Sequence, residues 1–199
     1  MVSWGNKNRN RWKNVRFAID DFRKAVEGCY DDENIYKPAT IELGQRLSWT
    51  LGKQVDVKYL DYGSFGTGYK ISVEGAEPVV LKIYHKNQNP STELEHGQRA
   101  EISRGPFLNE HSNNFVHFYF GKVPDNYTKD GFVVTEFLKE GEKPKHNGNY
   151  DPNYQITSED SWQGHNIIAG QIIDYGAVRV APENDTKIFK FDDLIDKNE

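Results

Sequence analysis

Between Leu60 and Lys70 the chain reads LDYGSFGTGYK, with glycines at 63, 66 and 68. Glycine lets backbone N–H groups approach an anion, because no Cβ stands in the way. An ordinary tight hairpin uses the same residues, so the loop alone does not decide between a phosphate cradle and a turn. Lys82 follows in VVLKIYHK, twelve residues after Lys70. A lysine among apolar strand residues needs a partner, since burying a lone ammonium is costly. Either its stem runs to a strand edge with the amine in water, or a carboxylate holds it for contact with phosphate. Glu93, Glu95 and Glu101 could serve, and Glu101 has the best spacing to Lys82. A second constellation lies in HNIIAGQIIDYG, where Asp174 closes an apolar run and Asn166 stands eight residues before it. Oxygen ligands of this kind suit a magnesium ion. A turn Asn and a turn Asp satisfied by local backbone would leave the same trace.

These residues need a scaffold, and the patterning suggests one. Trp12, Val15, Ala18, Ile19, Phe22 and Val26 recur at helical spacing, which predicts a helix from Trp12 to Glu27 with Gly28 as its stop. Leu43, Leu47 and Leu51 predict a second helix over Thr40 to Leu51, ended by Gly52, with Gly44 as an awkward interior residue. The period then falls to two. QVDVKYLDYG, GYKISVEG and EPVVLKIYH read as three strands, with a turn at Glu74 to Glu77. A helix is expected over PSTELEHGQRAEISRG, stopped at Gly105-Pro106. NFVHFYFGKV and DGFVVTEFL read as two more strands. KEGEKPKHNGNYDPNYQ reads as irregular, and the stretch after it as short strands around an Ala169-Gly170 turn.

Taken together, four of these stretches resemble protein kinases. LDYGSFGTGYK is similar to the glycine-rich loop, with Asp61 where the first glycine usually stands. VVLK resembles the V-A-I-K strand, FVVTEFL (Phe132 to Leu138) the strand and hinge between lobes, and DYG the D-F-G motif. They occur in the family's order from about Val55 to Gly176. The resemblance implies an α+β kinase-like fold. Residues 54–138 would form a five-stranded antiparallel sheet with one helix, residues 1–53 a helical extension, and residues 139–199 a strongly reduced C-terminal lobe. It implies that Gly63, Ser64, Phe65 and Gly66 cover the phosphates of ATP. Lys82 would hold the α- and β-phosphates and pair with Glu101, Glu136 and Leu138 would offer hinge backbone to adenine, and Asn166 and Asp174 would bind Mg2+.

The catalytic loop departs from the family's H-R-D-x-x-x-x-N pattern. Counting back from Asn166 puts Ser161 at the base position, with Asp160 one residue off. A one-residue insertion would make Asp160 the group that orients the substrate hydroxyl. The implied activity is transfer of phosphate from Mg-ATP to a Ser, Thr or Tyr hydroxyl of a protein, as in reduced effector-type kinases that act on host proteins. A pseudokinase that binds a protein partner, or a kinase-fold enzyme that transfers another part of the nucleotide, fits the same motifs.

Composition bounds these readings. The chain has 199 residues, 36% hydrophobic and 13% aromatic, enough for a core without disulfides, and Cys29 is its single cysteine. A net charge of -5, from 25 basic and 30 acidic residues, argues against a nucleic-acid scaffold. The basic run NKNRNRWKNVR is the exception, either a solvated helix face or an arm for an acidic partner or membrane surface. No stretch approaches the roughly 20 apolar residues of a bilayer span, and no apolar signal segment opens the chain. The expected location is therefore the cytoplasm, or a host cell reached by a route that needs no signal peptide. His85, His96, His111, His117 and His146 lack metal-ligand spacing.

Overall fold

The computed structural model of the chain describes residues 4–63, 66–85, 105–110, 116–122, 131–139, 154–158, 167–168, 171–172, 178–182 and 189–190, with side chains from residue 11 to 139 within those ranges. The architecture is α+β. Helices α1 (Trp4–Ala25) and α2 (Glu33–Leu51) precede strands β1 (Val55–Tyr62), β2 (Gly66–Val73), β3 (Val79–Tyr84), β4 (Phe118–Lys122) and β5 (Phe132–Glu136). These strands make a five-stranded antiparallel sheet in the order β1-β2-β3-β5-β4. The chain divides into two compact units, residues 1–86 and 87–199.

In the first unit, α1 begins at Trp4 rather than Trp12, because its opening turns carry no apolar stripe for a periodicity argument to find. Its core face starts at Ala18 and Ile19 and continues through Phe22 to Val26, all buried. The chain leaves the helix through a turn in which Gly28 takes φ +76°, a conformation that glycine adopts without cost.

Helix α2 begins at Glu33 rather than Thr40. Asp32 caps it, its carboxylate accepting from the Asn34 N–H at 2.9 Å, which satisfies one of the first turn's orphan donors. The helix runs through Pro38. A proline inside a helix counts against it in a sequence reading, but Tyr36 anchors this end by stacking on Tyr59 of β1 at 4.6 Å. The stop at Gly52 is as expected: φ is +67°, and its N–H donates to the Ser48 carbonyl at 2.8 Å.

Gly44, unhelpful to a lone helix, is where α2 meets β1. A Cβ there would lie 3.1 Å from the Val55 carbonyl oxygen. Ser48, one turn later, donates to the Gly44 carbonyl at 2.7 Å and accepts from the Val55 N–H at 2.9 Å. A single hydroxyl thus joins helix to strand.

The β1–β2 hairpin pairs Val55 with Val73, Val57 with Ile71 and Tyr59 with Tyr69, then shifts register before Asp61 meets Gly68 and Tyr62 meets Thr67. The β2–β3 ladder pairs Tyr69 with Leu81, Gly68 with Lys82 and Gly66 with Tyr84. Alternation sorts the two faces. Tyr69 meets Phe22 of α1 edge-on at 4.9 Å, so its row, with Leu81 and Ile83, is the face that the helices cover. Tyr69, Leu81 and Ile83 are each 0% exposed. Removing an aliphatic side chain of that kind from water stabilises the fold by about 1.5–3 kcal/mol.

In the second unit, residues 105–110 are helical, with Gly105 and Pro106 opening the described stretch. Proline supplies a helical φ and lacks only an N–H. Gly105 has a packing reason, since a Cβ would fall 2.3 Å from the Phe118 ring. Asn109 grips the same strand residue twice: its amide donates to the Phe118 carbonyl at 2.6 Å, and its oxygen accepts from the Phe118 N–H at 2.9 Å. Strands β4 and β5 pair from Phe118–Thr135 to Lys122–Phe132, and β5 is buried along its whole length.

Strand β6 (Tyr154–Ser158) pairs with β9 (Val178–Pro182), which pairs with β10 (Phe189–Lys190). The start of β6 overlaps the segment read as irregular. Its neighbours are turn formers, and its ladder partner lies far along the chain, where no local pattern reports it. Strands β7 (Ile167–Ile168) and β8 (Gln171–Ile172) form the expected hairpin around Ala169-Gly170, with Ile167 opposite Ile172. The helix expected over residues 90–104 lies outside the described residues.

Candidate functional site

Gly63 ends the β1 arm of the hairpin, exposed, and donates its N–H to the Gly66 carbonyl at 2.9 Å. That N–H therefore closes the hairpin. Ser64 and Phe65, between these glycines, lie outside the described residues. Gly66 is buried opposite Tyr84. A Cβ on it would lie 2.7 Å from the Ile83 carbonyl oxygen and 3.3 Å from Lys82 Cγ. Among the described residues, left-handed φ occurs at Gly28, Gly52 and Gly75 and not in this loop. The fold thus needs Gly66 for close approach of two strands, not for an unusual backbone angle.

Lys82 lies on β3 between Leu81 and Ile83, on the sheet face opposite the one the helices cover. It is half-buried, and its ammonium sits 5.3 Å from the centroid of the Tyr84 ring, two residues along on the same face. The aromatic face attracts the cation. Lys82 is opposite Gly68, and Gly68 is opposite Asp61. One row across three strands therefore reads carboxylate, bare backbone, ammonium. Where a Gly68 side chain would begin, the nearest atoms are Leu60 Cβ at 3.8 Å and the Asp61 carbonyl oxygen at 3.9 Å. Asp61 accepts from the Tyr62 N–H at 2.8 Å, folding its carboxylate back on its own strand. Tyr84 and Asp61 were not assigned a role from sequence. The K-I-Y spacing marks Tyr84, because residues two apart on a strand share a face.

The base of the hairpin is braced from the helix side. His85 shares a 2.8 Å hydrogen bond between Nε2 and the Thr67 hydroxyl. Its ring stacks between Tyr30 at 4.3 Å and Tyr62 at 4.6 Å. Tyr30 belongs to the turn between α1 and α2, and Tyr62 immediately precedes Gly63. His85 is thus a packing residue, in keeping with its lack of metal-ligand spacing. Nearby, burial drives the Tyr69 phenol well above its ordinary value, with neighbouring Tyr59, Tyr30 and Tyr36 adding to the rise.

In the second unit, Glu136 closes β5, buried, and its N–H donates to the His117 carbonyl at 2.8 Å. The ladder therefore takes its N–H, and only its carbonyl could serve as the hinge acceptor expected from sequence. Leu138 follows, half-buried, beyond the strand end. Glu101, Asp160, Asn166 and Asp174 lie outside the described residues. The β7–β8 register brings Ile167 and Ile172 together at one end of the hairpin. Asn166 precedes the first of these and Asp174 follows the second by two residues.

Among the described residues, no group of three or more His, Cys, Asp or Glu side chains is arranged to hold a metal ion, and no helix is long and apolar enough to cross a membrane. In comparisons with known proteins, the chain matches no family model and no curated protein.

Proposed function

We propose that the chain binds Mg-ATP on the Lys82 face of the β1–β3 sheet and transfers its terminal phosphate to a protein hydroxyl, as a reduced kinase-like enzyme. The observation that carries this reading is the β2–β3 register. It sets Lys82 opposite Gly68, on the face away from the helices, beside a glycine-closed hairpin. A lysine ammonium beside glycine backbone suits phosphate oxygens, which it meets as a compact point charge. The five-stranded antiparallel sheet supports the reading, since it is the small-lobe architecture the motif order implies.

The roles divide as follows. Lys82 holds phosphate oxygens, and the face of Tyr84 steadies its ammonium. By the kinase resemblance, Ser64 and Phe65 would cover them, and the carbonyl of Glu136 would accept from the base. Bound nucleotide would supply the phosphoryl group, and Asn166 and Asp174 would be the oxygen donors that hold its magnesium. Asp160 orients the acceptor hydroxyl. In this chemistry positioning and electrostatics dominate over covalent participation. The one-residue offset between Asp160 and the usual spacing to Asn166 favours a second reading, a nucleotide-binding module without transfer.

A thermal-shift titration with Mg-ATP tests both. A ligand that binds only the folded state raises the melting midpoint. The expected result is a rise in wild type that is lost in Lys82→Ala and Asp174→Ala. No rise in wild type would sink both readings. A rise without transfer of radiolabel to any protein acceptor would leave the binding module standing and remove the enzyme.

A further inference from the structure

Away from the Lys82 face, α1 and α2 enclose an open groove of about 610 Å³. Its α1 wall presents Asn14, Phe17 and Asp21, and its α2 wall presents Arg46 and Trp49. These are positions three, four or seven apart on each helix, so each wall is one helix face. Phe17 is 52% exposed and Trp49 83% exposed, whereas the core aromatics Phe22 and Tyr69 are buried. Asp21 and Arg46 bind each other across the groove at 2.8 Å, so the pair cancels and leaves the floor electrically neutral.

The charge around the groove comes from α1. Arg11, Lys13 and Arg16 lie within six residues of one another on α1, and no acidic residue precedes Asp20. Arg11, Lys13 and Arg16 are exposed. The Lys13 ammonium sits 5.7 Å from the centre of the Phe17 ring, so cation and aromatic are offered together at the rim. From residue 11 to 17 only Val15 is even half-buried, so packing within this unit does little to hold that half of the helix.

We propose that this groove docks an acidic segment of a partner polypeptide, with an aromatic or leucine side chain seated between Phe17 and Trp49 and carboxylates paired with Arg11, Lys13 and Arg16. A polypeptide is favoured over an anionic membrane because the apolar surface is concave between two helices. A bilayer would call for a convex apolar face with cations flanking it. The surface joins an aromatic anchor to a ring of cations, the pairing that gives a protein interface both affinity and electrostatic steering.

The test pans a random peptide library against the whole chain, then measures the enriched peptides by fluorescence anisotropy. The expected pool is rich in Asp and Glu around an aromatic or leucine residue. Its affinity should fall about tenfold or more in Arg11→Glu/Lys13→Glu/Arg16→Glu, and again in Trp49→Ala. Raising salt from roughly 0.05 to 0.5 M should weaken it as well. All four side chains are exposed, so these variants should keep the wild-type melting midpoint, which is measured alongside. A neutral or basic pool, or one bound equally by both variants, would overturn the proposal. So would flotation of wild type with phosphatidylcholine vesicles containing about a third phosphatidylserine, lost in the triple variant, with no acidic peptide enriched.

Discussion

Gly66 and Gly63 flank the same two-residue tip, yet the structure assigns them different costs, and alanine at each separates fold from function. At Gly66 the added Cβ would lie 2.7 Å from the Ile83 carbonyl oxygen. That atom is backbone in a paired strand and cannot swing aside, so β2 and β3 must part locally. Tyr84, opposite Gly66, is 0% exposed, which leaves little slack. Overpacking of this kind costs about 1–3 kcal/mol, and the entropy lost to the unfolded chain by a Gly-to-Ala change returns about 0.4–1 kcal/mol. The net expectation for Gly66→Ala is a loss of about 1–2 kcal/mol, or a fall in melting midpoint of roughly 2–8 °C for a chain of this size. At Gly63 the same Cβ meets only the Gly66 carbonyl oxygen, at an ordinary 3.5 Å. Gly63→Ala should therefore melt with wild type or slightly above it. Calorimetry on the two variants decides the matter. Equal midpoints, or a larger fall in Gly63→Ala, would refute the claim that strand approach is what requires the second glycine.

Two further perturbations probe the helix-backed face. Ser48→Ala removes the hydroxyl that joins the Gly44 carbonyl to the Val55 N–H, leaving that N–H without its partner, and should cost about 1–3 kcal/mol in denaturant unfolding. An unchanged midpoint would show that the α2–β1 contact does not depend on the hydroxyl. Tyr69→Phe addresses pH. Burial holds the folded-state ionisation of Tyr69 above the ordinary value of 10.0. Its contribution is therefore full below about pH 10, where the unfolded chain also keeps the proton. It is lost as pH climbs from there toward the folded-state ionisation. The variant, which gives up only a 3.4 Å hydrogen bond to the Tyr30 carbonyl, should lose stability less steeply between about pH 9 and 11. Identical alkaline slopes would sink that account.

The sequence is most legible where one face of an element is buried against a near neighbour. Val55, Val57, Ile71, Leu81 and Ile83 alternate because the helices cover one side of the sheet, and β1 to β3 emerge from that alternation. The glycine caps at 28 and 52 are equally readable, since a left-handed residue at a helix end nearly names its own type. Legibility fails where stability comes from elsewhere in the chain. The first turn of α2 depends on a Tyr36–Tyr59 stack, which no helical periodicity records. Strand β6 depends on β9. Gly105 reads as a terminator because glycine before proline usually ends a helix, and no local pattern records its second use, the room it leaves for the Phe118 ring. At the candidate site the residue types were readable but their uses were not. Glycines at 63 and 66 suggest anion contact, yet the hydrogen bond between them and the crowding at Ile83 are properties of a folded hairpin.

That difference alters what the N-terminal helices are for. A glycine-rich hairpin offers few side chains of its own, so whatever fixes its position must act at its base. The described contacts put His85 there, stacked on Tyr62 at the end of β1, bonded to Thr67 at the start of β2, and stacked on Tyr30 from the turn between α1 and α2. The helices therefore hold the base of the hairpin on one face, while Lys82, Gly68 and Tyr84 occupy the other. A lysine that must meet phosphate gains from such backing, because a site displaced by about 1 Å loses much of its rate. The same two helices raise Phe17 and Trp49 to the surface on their far side. An acidic partner seated there would bear on the helix pair whose connecting turn carries Tyr30. On the two proposals, groove and glycine hairpin would share the helix pair, with the His85 stack as the contact between that pair and the hairpin.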